Sequence, residues 1–572
     1  MIVLDPASTF SLASCLAQAR FHLIDWGVVA GYLVFTTVLG AKLAGKQATI
    51  RDFFLGGRKL PWWAVCGSTI ATEISTATFV VVPAIVFAAG GNLTYLQLAI
   101  GSILARFVVA WYFVPRFYEE EIYSPYDYVG RRLGPRVKTV TTGLFLIGAV
   151  LGQGGRLFTA AFMVSIVADI DLVSAIWLMG AFSVLWAMIG GITMVIWTDV
   201  IQFGILLLGA AVALGFAMHV VPGGISEAVR LGREAGKFQF LDFSTDLSVR
   251  YTFWCGLLAT TFSNLAAFGT DQVMAQRMFC CRDARDARLS VVWSSVSIGV
   301  ALLMMLLGIS LYAYFQHAPF TPGEAARYAK HQEYLLPIFI VRALPIGVRG
   351  LIVAAVLAAA VSTLESALAA LSQTTVNPIQ SHLNRRRGKA DAVASPDSEL
   401  GLSKVLIFAW GIVLCGMATA CIGIARNYQN AIDLVLAFAG YTSGPLLGIF
   451  LLAFLKRPRD DRGLPWAVAV SILAVFAVSV REPWVMKVVI VAVIVVWLVT
   501  PVIRSLPWQH KLIINLTALA AGGLHFVDGA TAPWLMSAGW AFPWTYPLGT
   551  VITFGLGFVL GRPRNDQIVR EN

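Results

Sequence analysis

The sequence predicts an all-α integral membrane protein with about 13–15 transmembrane helices. The first observation is composition: of 572 residues, 58% are hydrophobic and only 13% are charged, and the mean hydropathy is +0.76. A chain of this composition has too little polar surface to cover a water-soluble core. The second is the recurrence of long apolar stretches. The third is the clustering of basic residues between alternate stretches.

About fifteen stretches reach the roughly 20 mostly apolar residues that a membrane helix needs. They cover residues 25–44, 61–89, 92–117, 137–168, 172–190, 193–219, 251–269, 289–315, 348–379, 403–424, 430–455, 464–480, 484–503, 512–527 and 544–561. The stretch 512–527 is short and contains His525, so the total can be smaller than fifteen.

The net charge of +11 is concentrated in a few loops. The basic clusters lie at 42–59, 131–138, 277–288, 385–389, 456–462 and 562–564. If each stretch crosses the membrane once, all of these loops lie on one side, as the positive-inside rule requires. We therefore expect a multi-pass protein of the cell membrane with its N-terminus outside and its C-terminus in the cytoplasm. This distribution argues against nucleic-acid binding.

Signals for enzyme chemistry are missing from the sequence. The seven histidines are scattered without ligand spacing, which argues against a metal site of the zinc type. No Gly-Lys pair is followed by Ser or Thr, so no phosphate-binding loop is indicated. We find no nucleophile with a neighbouring base, and we expect that the protein is not an enzyme.

Four charged residues inside the apolar stretches stand out: Glu73, Arg156, Asp199 and Glu365. A charge near the bilayer centre costs at least about 2.5–3.5 kcal/mol unless it is paired or hydrated, so these residues are functional candidates. Arg156 is interpreted either as the counter-ion of one of the acids or as a substrate contact.

Hydroxyl groups surround two of these acids. Glu73 lies within "STIATEIST", and Glu365 shares one helix face with Ser362 and Ser366. Hydroxyls with a carboxylate are typical of a site for a small hard cation. The competing interpretation is that Ser and Thr bond back to their own helix or hold helices together.

Two stretches are interrupted by polar residues in the same way. Residues 61–89 contain "GSTIATEIST", and in 251–269 the residues Ser263, Asn264 and Gly269 break the apolar run. Each opens a block of five spans, and two blocks with an odd number of spans have opposite orientations. This pattern predicts an inverted repeat with broken helices at mid-membrane.

The predicted organisation has five parts. They are 1–60 (extracellular N-terminus, first span and cytoplasmic loop), 61–219 (first repeat), 220–250 (external loop), 251–455 (second repeat, with external loop 317–334 and cytoplasmic loop 381–402) and 456–572 (peripheral C-terminal helices).

Five ordered motifs resemble the sodium:solute symporter family, which includes sodium/glucose, proline, sialic acid and choline transporters. They are "DFFLGGRKLPWWAVCGSTIAT", "GGITMVIWTDVIQ", "FGTDQVMAQR", "VSTLESAL" and "SGPLLGIFLLAFL". The resemblance spans about residues 25 to 480. It implies a LeuT-type five-plus-five inverted repeat that works by alternating access, with Na⁺ as the coupling ion.

The same resemblance implies the positions of the sites. Sodium would bind the backbone carbonyls of Ala71, Ile74 and Ala359 and the hydroxyls of Ser362 and Thr363, where the helix unwinds at 71–74. A second cation site would consist of Asp199, Ser362, Glu365 and Ser366. Substrate-cavity candidates are Glu73, Thr78, Gln97, Arg156 and Asn264. Glu73 and Glu365 suit an amine, whereas Arg156 suits a carboxylate, and the choice stays open.

The expected function is secondary active, sodium-coupled symport of a small organic solute. A proton-coupled symporter of the same fold, with Glu73 or Glu365 as carrier, and a transporter-like membrane sensor are the alternatives. The expected partners are the solute and the lipid bilayer, with no nucleic acid, and the protein is expected to be a monomer or a weak homo-oligomer.

Overall fold

The computed structural model describes residues 22–44, 49–119, 122–168, 170–386, 396–424, 431–461, 463–479, 483–503, 506–537 and 539–563. Within these residues every regular element is a helix, and β-type pairing is limited to two isolated bridges, Leu60 with Cys281 and Arg459 with Pro563. The predicted all-α class is confirmed. Residues 1–21 and the centre of the predicted loop 381–402 lie outside the described residues.

The α-helices are numbered here in chain order. They are α1 (Leu23–Ala44), α2 (Ile50–Leu55), α3 (Trp62–Glu73), α4 (Thr76–Phe87), α5 (Leu98–Val108), α6 (Val114–Tyr118), α7 (Pro125–Leu133), α8 (Pro135–Ala168), α9 (Leu172–Val220), α10 (Gly224–Glu234), α11 (Thr260–Gly269), α12 (Gln272–Met278), α13 (Ala284–Trp293), α14 (Ser297–His317), α15 (Pro322–Lys330), α16 (Leu335–Ala343), α17 (Val348–Arg386), α18 (Pro396–Ile424), α19 (Ala431–Ala453), α20 (Leu464–Ser479), α21 (Pro483–Val502), α22 (Trp508–Gly523) and α23 (Thr545–Leu560).

The apolar stretches indicated by the sequence are all helical for most of their length. In the part of the chain that the structure describes, seven helices are long and apolar enough to cross a membrane, and the bent pair α3–α4 is an eighth. Shorter apolar helices cover 255–269, 439–453, 464–479 and 486–502. The protein is therefore a multi-pass membrane protein.

Helix α9 contains 49 residues and is divided at Gly191, whose φ of 55° and ψ of −159° are not helical. An unbroken helix of this length would extend about 73 Å, more than twice the roughly 30 Å of a bilayer core. The division at Gly191 separates the two predicted spans, 172–190 and 193–219. A Cβ atom at Gly191 would lie 2.6 Å from the carbonyl oxygen of Phe53, so this position requires glycine.

The first predicted interruption is a break between α3 and α4, whose axes are bent by 56°. Ile74 and Ser75 have extended backbone angles there. Unwinding was expected at 71–74, but α3 continues through Glu73 and the break lies at Ile74 and Ser75. Thr69 and Thr72 donate to the carbonyls of Val65 and Ser68, one turn earlier in the same helix. Such bonds are common for Ser and Thr inside helices and favour a local bend.

The second interruption lies later than the sequence indicates. Helix α11 continues through Ser263 and Asn264 to Gly269, and the break falls at Thr270 and Asp271. The Asp271 carboxylate accepts a hydrogen bond of 2.7 Å from the amide of Val273, so it caps the new helix α12. A polar residue inside a helix does not break it when the backbone bonds remain intact. The break lies instead where Asp271 caps the start of the following helix.

Helix α17 lies at the centre of the bundle and packs on α9, α18, α8 and α1. The last four helices, α20–α23, share an apolar cluster of their own, which includes Leu473, Val489 and Ile514. Large apolar side chains of α21 and α22, such as Leu498 and Leu516, are exposed outward. An exposed apolar face of this kind fits contact with lipid.

Candidate functional site

The break between α3 and α4 exposes backbone oxygen atoms inside the bundle. A helix end leaves its last carbonyls without intrahelical donors. The amide of Ile74 donates to Ile70, and no amide of the described residues donates to the carbonyl of Ala71. Thr76, just beyond the break, donates to the carbonyl of Val356 at 3.4 Å and so links the break to α17.

The facing segment of α17 presents a hydroxyl and a carbonyl together. Thr363 Oγ1 donates to the carbonyl oxygen of Ala359 at 2.9 Å, one helical turn earlier. Ile74, Ala359 and Thr363 all line one cavity. Three of the five residues predicted to bind sodium are therefore brought together, and Ala71 is buried one turn before Ile74.

This central cavity has a volume of about 320 Å³. Four of the five predicted substrate-cavity residues line it: Glu73, Thr78, Arg156 and Asn264. Of the hydroxyls around Glu73, those of Ser75, Thr76 and Thr78 belong to residues that line the cavity. Ser68, Thr69 and Thr72, which precede the break, do not. A cavity of this size with few charged groups is typical of a small-molecule site.

Gln97 is a correction to the predicted cavity. Its side chain is buried and does not line the cavity. Its Nε2 donates to the carbonyl of Tyr251 at 2.9 Å, and its Oε1 accepts from the amide of Asp242 at 3.1 Å. Because both ends of the amide are used, Gln97 braces a loop instead of facing a solute.

Glu73 is paired with Arg106. Nη2 of Arg106 lies 2.5 Å from Oε2 of Glu73, and the arginine side chain is fully buried while 27% of the glutamate side chain is exposed. Arg106 also donates to Ser294 at 3.0 Å, and its guanidinium lies 4.2 Å from the centre of the Phe268 ring. The charge of Glu73 is therefore largely compensated before any ligand binds.

Asp199 is paired with Arg277, and this corrects two predictions. Nη2 of Arg277 lies 3.0 Å from Oδ2 of Asp199, and both side chains are fully buried. Arg277 was assigned to a basic cytoplasmic loop, but it follows the second break and points into the bundle. Its charge lies beside Asp199, where a second sodium ion was expected.

The hydroxyls of the predicted second cation site belong to the same network. Ser362 donates to Oδ1 of Asp199, and Ser68 donates to Oδ2 at 2.5 Å. Arg277 donates to the hydroxyls of Ser68, at 2.8 Å, and of Ser366. Ser362 was expected to bind sodium, but it does not line the central cavity and its proton is directed at Asp199.

Glu365, the fourth member of that predicted site, stays outside this network. It is completely buried, and neither carboxylate oxygen has a hydrogen-bond partner among the described residues. The Tyr32 hydroxyl and both polar atoms of the Gln202 amide also lack partners within the described part of the chain. The Gln202 amide lies next to both Tyr32 and Glu365. A buried cluster of unsatisfied polar atoms therefore lies between α1, α9 and α17.

Arg156 is the charged side chain of the cavity that forms no direct ion pair among the described residues. It is half-buried on α8, lines the cavity, and forms no hydrogen bond or ion pair with any residue that the structure describes. Arg156 is not the direct ion-pair partner of Glu73 or Asp199, because Arg106 and Arg277 pair with these acids. Its charge still interacts at longer range with the buried carboxyl group of Asp271. Its planar array of N–H groups is left free to bind a ligand.

Sequence reasoning missed two of the three arginines. Arg106 lies inside an apolar stretch, and that position alone could have identified it as a counter-ion. Arg277 ends the motif "FGTDQVMAQR", and only the fold shows that the chain turns inward there. The cavity residues Phe542, Pro543 and Tyr546 were also missed, since the C-terminal part was expected to be peripheral.

Comparison with a family model and with curated relatives points to one family. Residues 53–470 match the sodium:solute symporter family. The chain is 28% identical over 475 residues to the sodium/sialic acid symporter SiaT of Proteus mirabilis. The aligned region covers 80% of this chain and 90% of SiaT. It is 30% identical over 470 residues to human sodium-coupled monocarboxylate transporter 1, covering 80% and 73% of the two chains.

A third relative and a solved structure show the same similarity. Human sodium/iodide cotransporter is 26% identical over 482 residues, covering 82% of this chain and 72% of that protein. A substrate-bound, outward-open structure of a Na⁺-coupled sialic acid symporter superimposes with a TM-score of 0.74 at 22% identity, covering 96% of this chain and 100% of that chain. The LeuT-type fold is thereby confirmed.

Proposed function

The chain belongs to the sodium:solute symporter family and is a sodium-coupled secondary transporter of a small solute, and we propose that this solute is an organic anion. The observation that carries the proposal is Arg156, a guanidinium that lines the cavity and forms no hydrogen bond or ion pair with any described residue. Arginine binds carboxylates through two parallel N–H···O bonds, which makes a carboxylate the matching group.

The charge balance of the cavity supports an anion over an amine. An ammonium ligand would need a free carboxylate, but Glu73 is held by Arg106 at 2.5 Å. The relatives named above carry sialic acid, monocarboxylates or iodide in their names, and these are anions at neutral pH. The two observations are independent, because one concerns this chain and the other its relatives.

The sodium ion is proposed to bind where the break between α3 and α4 faces α17. The oxygen atoms available are the carbonyls of Ala71, Ile74 and Ala359 and the hydroxyl of Thr363, a set that suits a small hard cation. Ser362 contributes by holding Asp199. Sodium entry down a potential of 100 mV supplies about 2.3 kcal/mol per charge, in addition to its concentration gradient.

A second monovalent cation is proposed at Glu365. When Asp199 and Glu365 are both ionised, Arg277 compensates only one of them. One buried negative charge is then left, which is costly. The unsatisfied oxygens of Glu365, Gln202 and Tyr32 provide a place for either a proton or a second sodium ion. This favours Glu365, and not the Asp199 network, as the position of additional coupling.

The proposed orientation in the cell membrane has the N-terminus outside and the C-terminus in the cytoplasm. It rests on the alternation of basic loops. The proposed oligomeric state is a monomer or a weak homo-oligomer.

The first test is the thermal unfolding midpoint of the purified protein in detergent, with sodium against potassium at constant ionic strength. Sodium that binds only the folded state stabilises it by RT ln(1 + [L]/Kd), about 2.7 kcal/mol at a hundred times Kd. We expect a rise specific to sodium, reduced in Thr363→Ala. An equal rise with potassium, or an unchanged sodium response in the variant, would contradict the proposed ion site.

The second arm adds propionate in the presence of sodium. We expect a further rise in wild type that is lost in Arg156→Gln, because loss of one partner of such a pair costs about 2 kcal/mol or more. The sodium response should survive in this variant. Arg285→Gln, an exposed substitution elsewhere, is the matched control. Equal propionate responses in wild type and Arg156→Gln would rule out Arg156 as the anion ligand.

A further inference from the structure

The central cavity is partly built by a segment beyond the part of the chain that matches the family. The match ends at residue 470, whereas Phe542, Pro543 and Tyr546 line the cavity. These residues lie at the start of α23 and in the connection that leads to it from α22. The C-terminal helices were expected to be peripheral, and this connection is an exception to that expectation. We call residues 541–546 the C-terminal wall.

The residues that lead into this wall, 535–541, are hydrogen-bonded to the loop that precedes α11. The amide of Leu247 donates to the carbonyl of Leu535 at 3.2 Å, and the amide of Ala541 donates to the carbonyl of Leu247 at 3.0 Å. The amide of Ser537 donates to both carboxylate oxygens of Asp246, at 3.1 and 3.0 Å. The two segments are thus joined at several consecutive points.

The joined loop is itself attached to the cavity. Asp242 in this loop bonds to Gln97, and Gln97 bonds to the carbonyl of Tyr251, a residue that lines the cavity. Hydrogen bonds from Ser248 and Ser537 lower the pKa of Asp246 to about 2, so its carboxylate stays ionised at any pH used for transport assays. The wall is therefore held in position by groups that do not titrate near neutral pH.

The chemistry of the wall is apolar. Phe542 and Pro543 have no side-chain hydrogen-bonding groups, and the rings of Tyr95 and Tyr251, 5.3 Å apart, line the same cavity. Tyr546 belongs to the wall and also lies near Arg156 and Ser263. A molecule whose carboxylate binds Arg156 would thus have an apolar surface within its reach.

We propose that the C-terminal wall is a specificity-determining part of the solute site, which binds an apolar substituent of the carboxylate. The solute class is therefore a carboxylate that bears an aromatic or branched apolar group, in preference to a short or polyhydroxylated acid. This proposal rests on the proposed binding of an organic anion at Arg156. It adds a contact to the apolar part of the solute that is made by residues beyond the family-matched region.

The experiment compares two sodium-dependent ligands, propionate and 3-phenylpropionate, by thermal shift and by competition for uptake into proteoliposomes. Wild type should bind 3-phenylpropionate more tightly than propionate. Phe542→Ala should weaken 3-phenylpropionate about tenfold, as expected for loss of an aromatic contact. Propionate should change less than twofold. Trp534→Ala, which removes an 83% exposed ring from the same segment, is the control and should behave as wild type.

A second variant tests the attachment of the wall. Asp246→Ala removes the bonds to Ser537 without touching the cavity, and we expect it to weaken 3-phenylpropionate more than propionate. Equal weakening of both ligands in Phe542→Ala, or a wild type that prefers propionate, would overturn the inference and leave the anion site intact. If neither acid binds wild type in sodium while sodium itself still stabilises it, both the anion proposal and this inference fail.

Discussion

At the residue scale, the buried charges of this protein are explained by their partners. The sequence predicted Glu73 as a cavity residue and Asp199 as a cation ligand, but each is paired with an arginine of another helix, Arg106 or Arg277. Removing one partner of a buried pair typically costs about 3–5 kcal/mol, because the other charge is left alone. These two pairs are therefore structural requirements. Arg156 and Glu365, which have no hydrogen-bond or ion-pair partner among the described residues, are proposed to bind ligands.

The residue-scale prediction concerns Glu365→Gln. This change keeps the shape of the side chain and removes its charge, so it should reduce the positive charge moved per solute by about one if Glu365 carries a cation. The measurement is the ratio of charge to solute flux in proteoliposomes, at two pH values and two sodium concentrations. A loss of pH dependence identifies the cation as a proton, and a loss of sodium flux identifies it as sodium.

A comparison variant in the same cluster makes this result interpretable. Tyr32→Phe removes a hydroxyl from the same cluster without changing any charge, and we expect it to weaken cation binding while the charge ratio is maintained. An unchanged charge ratio and an unchanged pH profile in Glu365→Gln would exclude Glu365 as a cation carrier. The sodium site at Thr363 would be unaffected by that outcome, since it uses other groups.

At the element scale, the breaks in the helices decide where function is placed. The break at Ile74 and Ser75 brings helix-end carbonyls next to Thr363, and the break at Thr270 and Asp271 directs Arg277 to Asp199. The division of α9 at Gly191 positions the second half of that helix, which bears Asp199 and Gln202. Each break thus delivers a polar group to the centre of the bundle.

The element-scale prediction is that Gly191→Ala destabilises the protein. Its φ of 55° is unfavourable for alanine, and the added Cβ would lie 2.6 Å from Phe53 O, so we expect a cost of about 1–3 kcal/mol. The measurement is the thermal unfolding midpoint in detergent. Gly204→Ala and Gly215→Ala, in the same helix with open space around the added carbon, are the controls and should not lower it. An equal midpoint in all three variants would show that Gly191 can be replaced.

At the scale of the whole molecule, orientation follows from charge and not from packing. The bundle has the same internal contacts whichever way it faces, so the proposed orientation depends on the basic loops. In a variant with Cys15→Ser, we expect Glu234→Cys to react with a membrane-impermeant maleimide on intact cells. Arg285→Cys should react only after permeabilisation. Both positions are exposed. The reverse pattern would invert the proposed topology.

The sequence by itself determined the class, the family and most of the elements. Hydropathy is a local property, so each apolar stretch could be identified without its neighbours. The intramembrane charges and the family resemblance together assigned Glu73, Thr78, Arg156 and Asn264 to one cavity, and Thr363 to the sodium site. Four of the five predicted cavity residues and three of the five predicted sodium ligands line one cavity. The repeat boundaries stay a prediction.

Only the tertiary structure decided which charges are paired. Arg106 and Glu73 are separated by 33 positions, and Arg277 and Asp199 by 78, so nothing local in the sequence couples them. For the same reason, the sequence did not show that Gln97 bonds to residues 145 and 154 positions away. Nor did it show that Phe542, far along the chain, lines the cavity. Electrostatic compensation depends on distance in space, and folding brings these groups together by burying apolar helices around them.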